Sequence, residues 1–351
     1  MASVQLIESI LEHRNADALE LATILGYTCV IKKNQEFKMG DRIIFIEPDY
    51  VLPNNIQQFP WVEPFLPYAQ SRIRAIRLRG VYSEGLVVKS IDGIDLEALE
   101  IGSNINDLIG VTKYTSRTKG PNYLNMKHNC LPYNLPKTDE ERWQRIKYKL
   151  PFGQLCTVTL KIDGQSASYG FNQKDEKVSE KTDINVLSDS DGKGTFFATS
   201  RSLDLKLEDV NPYTAHIKRY GIDTKLQAYC EEHKVSLVLR GESYGPGIQV
   251  SKVNPHCRVK TPSWALFSVY DLHKKHYCDR GTPHFFLNVA KAIGLPHVPI
   301  LEEDVILTQE LIDKYCEKMD KLPDGSMFEG VVIQHAGGSF KIINKNYDSK
   351  K

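Results

Sequence analysis

Leu155-Cys156-Thr157-Val158-Thr159-Leu160-Lys161-Ile162-Asp163-Gly164 is the stretch whose reading decides the fold. Its apolar and polar residues alternate with period two. A strand with that pattern turns Cys156, Val158 and Leu160 to a core and Thr157, Thr159 and Lys161 to the opposite, polar face. The strand ends on the lysine and runs into an Asp-Gly turn. A lysine amine attacks an electrophile only when deprotonated. Its ordinary pKa is near 10.4, so neutrality at pH 7 costs roughly 4–5 kcal/mol. Nearby cations or a bound metal can lower that cost. A nucleophilic Lys161 therefore requires positive groups and metal-binding carboxylates around it. The tetrapeptide K-x-D-G alone is short enough to arise by chance in about one protein of this size in ten. The residues that follow it in order are what count.

The run Thr195–Thr199 reads as a strand leading to Ser200-Arg201, where a guanidinium can hold a phosphate by two hydrogen bonds. Val235–Leu239 is an apolar strand that is expected to end at Arg240-Gly241-Glu242, placing a carboxylate at a strand end before a Gly/Pro turn, where it is either a metal ligand or a turn residue. Ala265–Tyr270 is a further strand before Asp271, and the ring of Tyr270 can stack on a base. Phe328–Gln334 and Ser339–Lys345 read as a hairpin. A four-residue loop, 335–338, would pair Val332 with Lys341 and leave Glu329 on the opposite face, whereas a three-residue loop, 335–337, sets Gly337 at the left-handed position and is the one expected. Val331 would then lie opposite Lys341, with Glu329 and Lys341 on one face. Helices are expected over Pro212–His233, His284–Ile293 and Thr308–Met319. Another is expected from Thr138, with Glu141 completing a capping box. From Gln154 to Lys345 the pattern is that of an α+β domain on antiparallel sheet.

Upstream, Tyr27–Lys33, Arg42–Glu47, Arg72–Arg79 and Gly85–Lys89 read as short strands separated by turns, the pattern of a small all-β barrel. Arg72, Arg74, Arg77 and Arg79 fall within eight residues. Strict alternation would split them between two faces, so a bulge near Ala75 is expected if all four contact a nucleic-acid backbone. Thr112–Pro136 is polar, rich in Pro, Asn and Lys, and reads as a linker.

Composition narrows the class. Lys and Arg total 45 against 44 Asp and Glu, a net charge of +1, so any polyanion site is a local patch. The seven cysteines are scattered and none forms a C-x-x-C pair, which points to a reducing compartment and away from zinc ribbons or disulfides. The N-terminus has no signal-peptide core, and no apolar run approaches the roughly 18 residues of a membrane span. An intracellular, soluble protein of cytoplasm or nucleus is expected. His273, His276 and Cys278 follow a strand and read as loop residues rather than a metal cluster. No G-x-x-x-x-G-K-[ST] loop is present.

Lys161-Ile162-Asp163-Gly164, Ser200-Arg201, Arg240-Gly241-Glu242, Val269-Tyr270-Asp271-Leu272, Glu329-Gly330-Val331-Val332 and Ser339-Phe340-Lys341 resemble, in order, nucleotidyltransferase motifs I, Ia, III, IIIa, IV and V. These are the motifs of ATP-dependent RNA and DNA ligases and mRNA capping enzymes. The piece from Gly241 to Gln249 is similar to nick-sealing RNA ligases. Phe37–Pro53, Arg72–Gly80 and Ile109–Tyr114 resemble the N-terminal OB module of one RNA ligase clade, which also carries a Thr-Asp-Glu-x-Arg segment matched by Thr138–Arg142.

The resemblance implies an antiparallel-sheet nucleotidyltransferase (ATP-grasp-like ligase) domain, residues 116–351 with a linker at 116–136, after an OB-fold barrel at 1–115. It implies Lys161 as the adenylated nucleophile. Thr159, Leu160, Asp163, Gly164, Arg142, Arg201, Tyr270, Lys341 and Lys345 would contact ATP or AMP. Glu242, Glu329 and Asp163 would position Mg2+ or Mn2+. Arg72, Arg74, Arg77 and Arg79 would bind RNA. Related enzymes often have two closely spaced lysines in motif V, whereas here Ile342-Ile343-Asn344 separates Lys341 from Lys345.

Capping enzymes and DNA ligases place an OB domain after motif V. Here the sequence ends ten residues after Lys341 and the OB-like part comes first. The resemblance thus favours a monomeric, ATP-dependent RNA ligase acting on a nicked duplex or a broken strand through lysyl-AMP, in RNA repair. The alternatives are a DNA-sealing or capping-type enzyme, or a non-catalytic nucleic-acid-binding protein. Retention of Lys161, Glu242, Glu329 and Lys341 speaks against the last.

Overall fold

A computed structural model describes residues 1–66, 72–114, 131–173, 194–207, 210–248 and 259–347. The chain forms two compact units, Met1–Thr118 and Lys119–Lys351. Residues 115–130 of the expected linker, and Gln249, lie outside the described residues.

The first unit is built on β1 (Ala2–Leu6), β2 (Ser9–Glu12), β3 (Leu19–Ile24), β4 (Tyr27–Lys32), β5 (Arg42–Ile46), β6 (Tyr50–Val51), β7 (Ile76–Leu78), β8 (Val81–Ser83), β9 (Leu86–Val88) and β10 (Thr112–Lys113), with a short α1 (Asn106–Ile109). Two three-stranded sheets run β1-β5-β9 and β2-β3-β4, beside the pairs β6-β10 and β7-β8. The described ladders are antiparallel. The apolar run of β5 is covered on both sides. Ile44 and Ile46 pack with Val4 and Val88, while Ile43 and Phe45 pack with Ile24 and Tyr27. A strand buried on both faces has no polar face to show in its sequence.

The basic stretch departs from expectation. Of Arg72–Arg79 only Ile76–Leu78 is strand, and it closes a tight hairpin on β8 with Arg79 at φ 48°. Residues 72–75 belong to no strand, so no bulge forms at Ala75. Arg72 pairs with Asp49 and lies 4.5 Å over the Tyr114 ring. Arg74, Arg77 and Arg79 are exposed.

The second unit holds two five-stranded sheets. Its elements are β11 (Glu141–Arg142), β12 (Leu155–Leu160), β13 (Gln165–Gln173), β14 (Gly194–Ser200), α2 (Pro212–Tyr220), α3 (Ile222–His233), β15 (Leu237–Tyr244), β16 (Ser263–Asp271), β17 (His276–Tyr277), α4 (Phe286–Ile293), β18 (Ile300–Ile306), α5 (Gln309–Asp313), β19 (Gly330–His335) and β20 (Gly338–Ile343). One sheet runs β11-β20-β19-β12-β18 and the other β14-β13-β15-β16-β17. All pairs are antiparallel except β11 with β20.

Helices α2, α3 and α4 bury one face of the second sheet through Tyr169, Leu226, Leu239, Trp264 and Val289. The first sheet is closed by α5 and a π turn at Lys314–Lys318, over Val158, Leu160, Val331, Phe340 and Ile342. The outer face of the second sheet takes Leu131 and Leu135 against Phe197, Val238 and Tyr270. Gln334 Nε2 donates 3.1 Å to the Phe267 carbonyl, tying the two sheets together.

Several boundaries differ from the sequence reading. Gly221, at φ 61°, splits the expected Pro212–His233 helix into two. β15 continues through Arg240-Gly241-Glu242 instead of stopping before them, so Glu242 sits within a strand. Thr138 caps no helix. Glu141–Arg142 is a strand, Trp143–Lys149 is 3-10 helix, and the Thr138 hydroxyl lies 2.6 Å from the Ser166 hydroxyl. Among the described residues, no helix is long and apolar enough to cross a membrane.

Candidate active site

The alternation of β12 is as its sequence reads: Cys156, Val158 and Leu160 enter the core. Leu160 is committed there by its side chain, and its N–H donates to the Pro299 carbonyl at 2.9 Å. Thr159 faces the other way and donates 3.1 Å to the Val332 carbonyl. The ladders place Thr159 beside Val332, Val332 beside Lys341, and Lys341 beside Arg142. One row thus crosses four strands, with Lys161 two residues beyond its first member.

The hairpin register is not the expected one. His335 pairs with Gly338 and Val332 with Lys341, leaving a two-residue loop in which Gly337 takes the positive φ, 100°. By strand alternation Glu329 and Lys341 therefore do not share a face. Glu329 reaches Lys161 for a different reason. It lies just outside β19, before Gly330, whose backbone is so close to β20 that a Cβ would stand 2.2 Å from the Ile342 carbonyl oxygen. Only glycine allows this approach. At that strand end the Lys161 N–H donates 3.0 Å to the Gly330 carbonyl, and Lys161 Nζ donates 2.6 Å to Glu329 Oε1.

Glu242 comes from the other sheet. Val238, Arg240 and Glu242 alternate onto the face away from α2–α4, and Gly164 lies against it, a Cβ there meeting Glu242 Cγ at 3.0 Å and the Ser243 carbonyl oxygen at 2.3 Å. The Asp-Gly turn after Lys161 is thus fitted to the strand that carries the second carboxylate. Asp163 accepts a 2.9 Å hydrogen bond from the Tyr347 hydroxyl, a residue the motif reading did not single out.

The electrostatics follow. Burial alone would lower the Lys161 pKa, but Glu329, Glu242 and Asp163, with the Glu329 hydrogen bond, overcome it and hold the amine above its ordinary 10.5. Glu242 is pushed up to about 8, first by burial, with Lys161 opposing and the charges of Glu329, Glu140 and Asp163 adding to the rise. Without a further cation, then, Lys161 is a firmly protonated ammonium. Among the described residues no three His, Cys, Asp or Glu side chains form a ready-made metal cage. A partial site does fit. Glu329 Oε2 is buried with no hydrogen-bond partner, and Glu242 lies near it, destabilised as an anion. A divalent cation held there by so few protein oxygens would keep most of its water.

A second cluster gathers the expected phosphate contacts. Asp139 Oδ1 is 3.0 Å from Lys341 Nζ, and Asp139 Oδ2 is 2.9 Å from the Arg201 guanidinium. Arg142 lies three residues on, beside Lys341 in the ladder. Tyr270 is buried, edge-on to Tyr277 at 5.2 Å between centroids, with the Arg240 guanidinium 5.9 Å from its centroid. Arg240 is fully buried, and it donates 3.3 Å to the Ser168 hydroxyl and 2.8 Å to the Pro136 carbonyl. A cavity of about 570 Å³ beside Tyr270 and Asp139 is lined also by Ser268, Tyr277, Gln334 and Ser339, and Lys161 is not in its wall. Lys345 is turned to Glu317 on the π turn. His273 and His276 are exposed and Cys278 is buried.

The sequence reading expected all of these residues in one nucleotide site, with Glu329 and Lys341 on one face; the structure gathers Asp163, Gly164, Glu242 and Glu329 around Lys161, and Arg201 and Lys341 around Asp139. The sequence reading missed Asp139, Tyr347 and the burial of Arg240. Asp139 was within the quoted Thr138–Arg142 segment, so a signal for it existed. Tyr347 lies beyond the last motif and had none.

Residues 154–346 match the RNA ligase family profile, and residues 1–90 match an OB-fold domain. No curated protein sequence matches the chain significantly. Among solved structures, Naegleria gruberi RNA ligase with PPi is 25% identical with a TM-score of 0.73, over 99% of this chain and 98% of that one. A lysine-to-alanine mutant of the same ligase with ATP and Mn is 24% identical with a TM-score of 0.72, over 100% and 98%. A lysine-to-methionine mutant with AMP and Mn is 24% identical with a TM-score of 0.71, again over 100% and 98%. The profile spans more than half of the sequence and takes in Lys161, Asp163, Glu242, Glu329 and Lys341: the chain belongs to the RNA ligase family.

Proposed function

We propose that this RNA ligase joins a 3′-OH to a 5′-phosphate end, sealing nicked or broken RNA, through an ATP-derived AMP carried on Lys161. The observation that carries the reading is the placement of Lys161 Nζ 2.6 Å from Glu329 Oε1 with Glu242 and Asp163 around it. In the first step the neutral Lys161 amine attacks the α-phosphorus of ATP. An N–P bond forms, the bond to pyrophosphate breaks, and the amine loses a proton. The AMP then passes to the RNA 5′-phosphate, restoring the lysine. The 3′-oxygen finally displaces AMP as the phosphodiester forms.

Glu242 and Glu329, with Asp163, would hold a hydrated Mg2+ or Mn2+, which supplies the positive field a lysine nucleophile requires and neutralises the transferring phosphate. Lys341, Arg201 and Arg142 bind phosphate or ribose oxygens, and Tyr270 offers its ring to adenine. Thr159 and Gly164 shape the floor around Lys161. We assign residues 1–115 as the RNA-binding module, with Arg74, Arg77 and Arg79 as its exposed cations and Arg72 braced on Asp49, and residues 116–351 as the catalytic domain. The protein acts as a monomer inside the cell, and the scattered cysteines, with no C-x-x-C pair, support a reducing compartment.

The test is incubation with α-labelled ATP or GTP and a divalent cation, then denaturing electrophoresis. Label from ATP, lost in Lys161→Ala, is expected, with label transfer to nicked RNA duplex. Label from GTP would indicate capping chemistry, and sealing of nicked DNA in preference to RNA would refute the substrate assignment.

A further inference from the structure

Asp139 holds two cations with one carboxylate. Oδ1 meets Lys341 Nζ at 3.0 Å and Oδ2 meets the Arg201 guanidinium at 2.9 Å. Two cations bridged by the two oxygens of one anion is the arrangement in which a phosphate would be held. The two cations come from different sheets, Lys341 from β20 and Arg201 from the end of β14. The carboxylate comes from neither. It belongs to the segment that crosses the outer face of the second sheet, fastened by Pro136, whose carbonyl accepts from Arg240, by Thr138 against Ser166, and by β11. The strap thus inserts an acidic side chain where the fold has assembled positive charge. The Asp139 side chain keeps 42% exposure and Arg201 keeps 59%, so both pairs are reached by water and can exchange partners.

We propose that Asp139 is an internal competitor for phosphate: it occupies the Lys341–Arg201 anion subsite and gives it up to a phosphate of ATP. This rests on the ligase reading of the site. Its consequence is a weaker ground-state affinity for nucleotide than the two cations alone would give. That keeps binding energy for the step in which charge moves onto the leaving pyrophosphate.

The test compares Asp139→Asn with its parent in a Lys161→Ala background, where bound ATP is not consumed. Calorimetry would measure magnesium pyrophosphate and magnesium ATP binding. Exposed ion pairs are individually weak, so D139N is expected to bind both ligands between about threefold and tenfold more tightly. Glu141→Gln removes the same charge from the same segment, from a carboxylate engaged with Arg145, and should change affinity less than twofold. Arg201→Gln should abolish most of the D139N gain. Asp139→Ser serves as a second variant should D139N melt early. Equal or weaker binding by D139N and D139S would overturn the proposal, because Asp139 would then be a ligand-binding or structural residue. Tighter pyrophosphate binding by D139N, in a protein whose wild type takes no label from ATP, would keep the competition and refute the ligase reading.

Discussion

Replacing Glu329 by Gln keeps the side-chain shape and removes its charge, and it separates two effects that the same carboxylate exerts on Lys161. The Lys161–Glu329 hydrogen bond is 2.6 Å, between side chains that keep only 27% and 18% exposure. A hydrogen bond to a charged group is worth about 1.5–3 kcal/mol. At roughly 1.4 kcal/mol per decade, E329Q should carry between about ten and a hundred times more neutral amine at a given pH. Burial, which favours the neutral form, remains, and Glu242 and Asp163 remain to oppose it. If Glu329 acted only on protonation, E329Q would therefore adenylate faster than wild type at pH 7. If Glu329 holds the divalent cation, the variant loses that positive field and should adenylate about 100-fold more slowly or worse.

Two assays read these separately. The pH dependence of Lys161 acylation by an amine reagent, located by mass spectrometry without metal, reports the neutral fraction. Single-turnover label transfer from ATP, titrated with magnesium, reports the chemistry. The expected outcome is faster acylation together with slower adenylation and a higher magnesium requirement. Adenylation at wild-type rate at pH 7 would refute the metal-holding role of Glu329. Unchanged acylation would mean that the ion pair does not set the state of the amine.

His216 is buried, its pKa lowered to about 4, first by burial and then by Arg219, with its Nε2 2.8 Å from the Ser243 hydroxyl. A histidine held neutral in the fold contributes stability that is complete above its ordinary 6.5 and is lost as pH falls toward 4. This amounts to about 3 kcal/mol, and the difference between wild type and His216→Gln in urea unfolding at pH 7 and pH 4.5 should show it. Gly330→Ala forces a methyl group against the Ile342 carbonyl oxygen. It should cost about 1–3 kcal/mol and abolish adenylation well below the variant's melting temperature, because Glu329 is displaced; retained labelling would refute the role of that strand end. Tyr347→Phe removes the 2.9 Å hydrogen bond to Asp163. It should slow single-turnover adenylation about two- to tenfold, and a rate equal to wild type would make Tyr347 a bystander.

The sequence made the catalytic strand legible because its two faces differ in chemistry. In β12 the alternation of Cys156, Val158 and Leu160 with Thr157, Thr159 and Lys161 survives intact. The central β5 of the first unit was found for the opposite reason, as an apolar run covered on both sides. Reading failed where backbone geometry overrode alternation. The hairpin β19–β20 took the register that pairs Val332 with Lys341 and closed it with the additional His335–Gly338 pair, and a one-residue difference in loop length reverses which side chains share a face. The site survived that error because Glu329 lies past the end of the regular ladder, where Gly330 removes the constraint. Thr138–Arg142 failed differently. Its capping-box pattern is a local preference, and the edge of β20 offered a ladder that local preference does not report. Tyr347 reaches Asp163 across 184 positions, a contact that only tertiary structure creates.

The site is arranged around two internal ion pairings. At one end the Lys161 ammonium is matched by Glu329, with Glu242 pushed up to about 8 and so mostly protonated near neutrality. At the other, Lys341 and Arg201 are matched by Asp139. Each pairing engages a group that the proposed chemistry uses. Metal and nucleotide carry complementary charge: Glu329 and Glu242 would hold the cation, leaving the Lys161 amine unpaired, and Lys341 and Arg201 would hold the phosphates in place of Asp139. Each exchange replaces one ion pair by another, so neither leaves a bare buried charge, the costly alternative. It follows that the two should be coupled. Magnesium should raise ATP affinity in wild type by more than in Asp139→Asn, where one exchange has already been made, and equal magnesium enhancement in the two proteins would show that the ends of the site act independently.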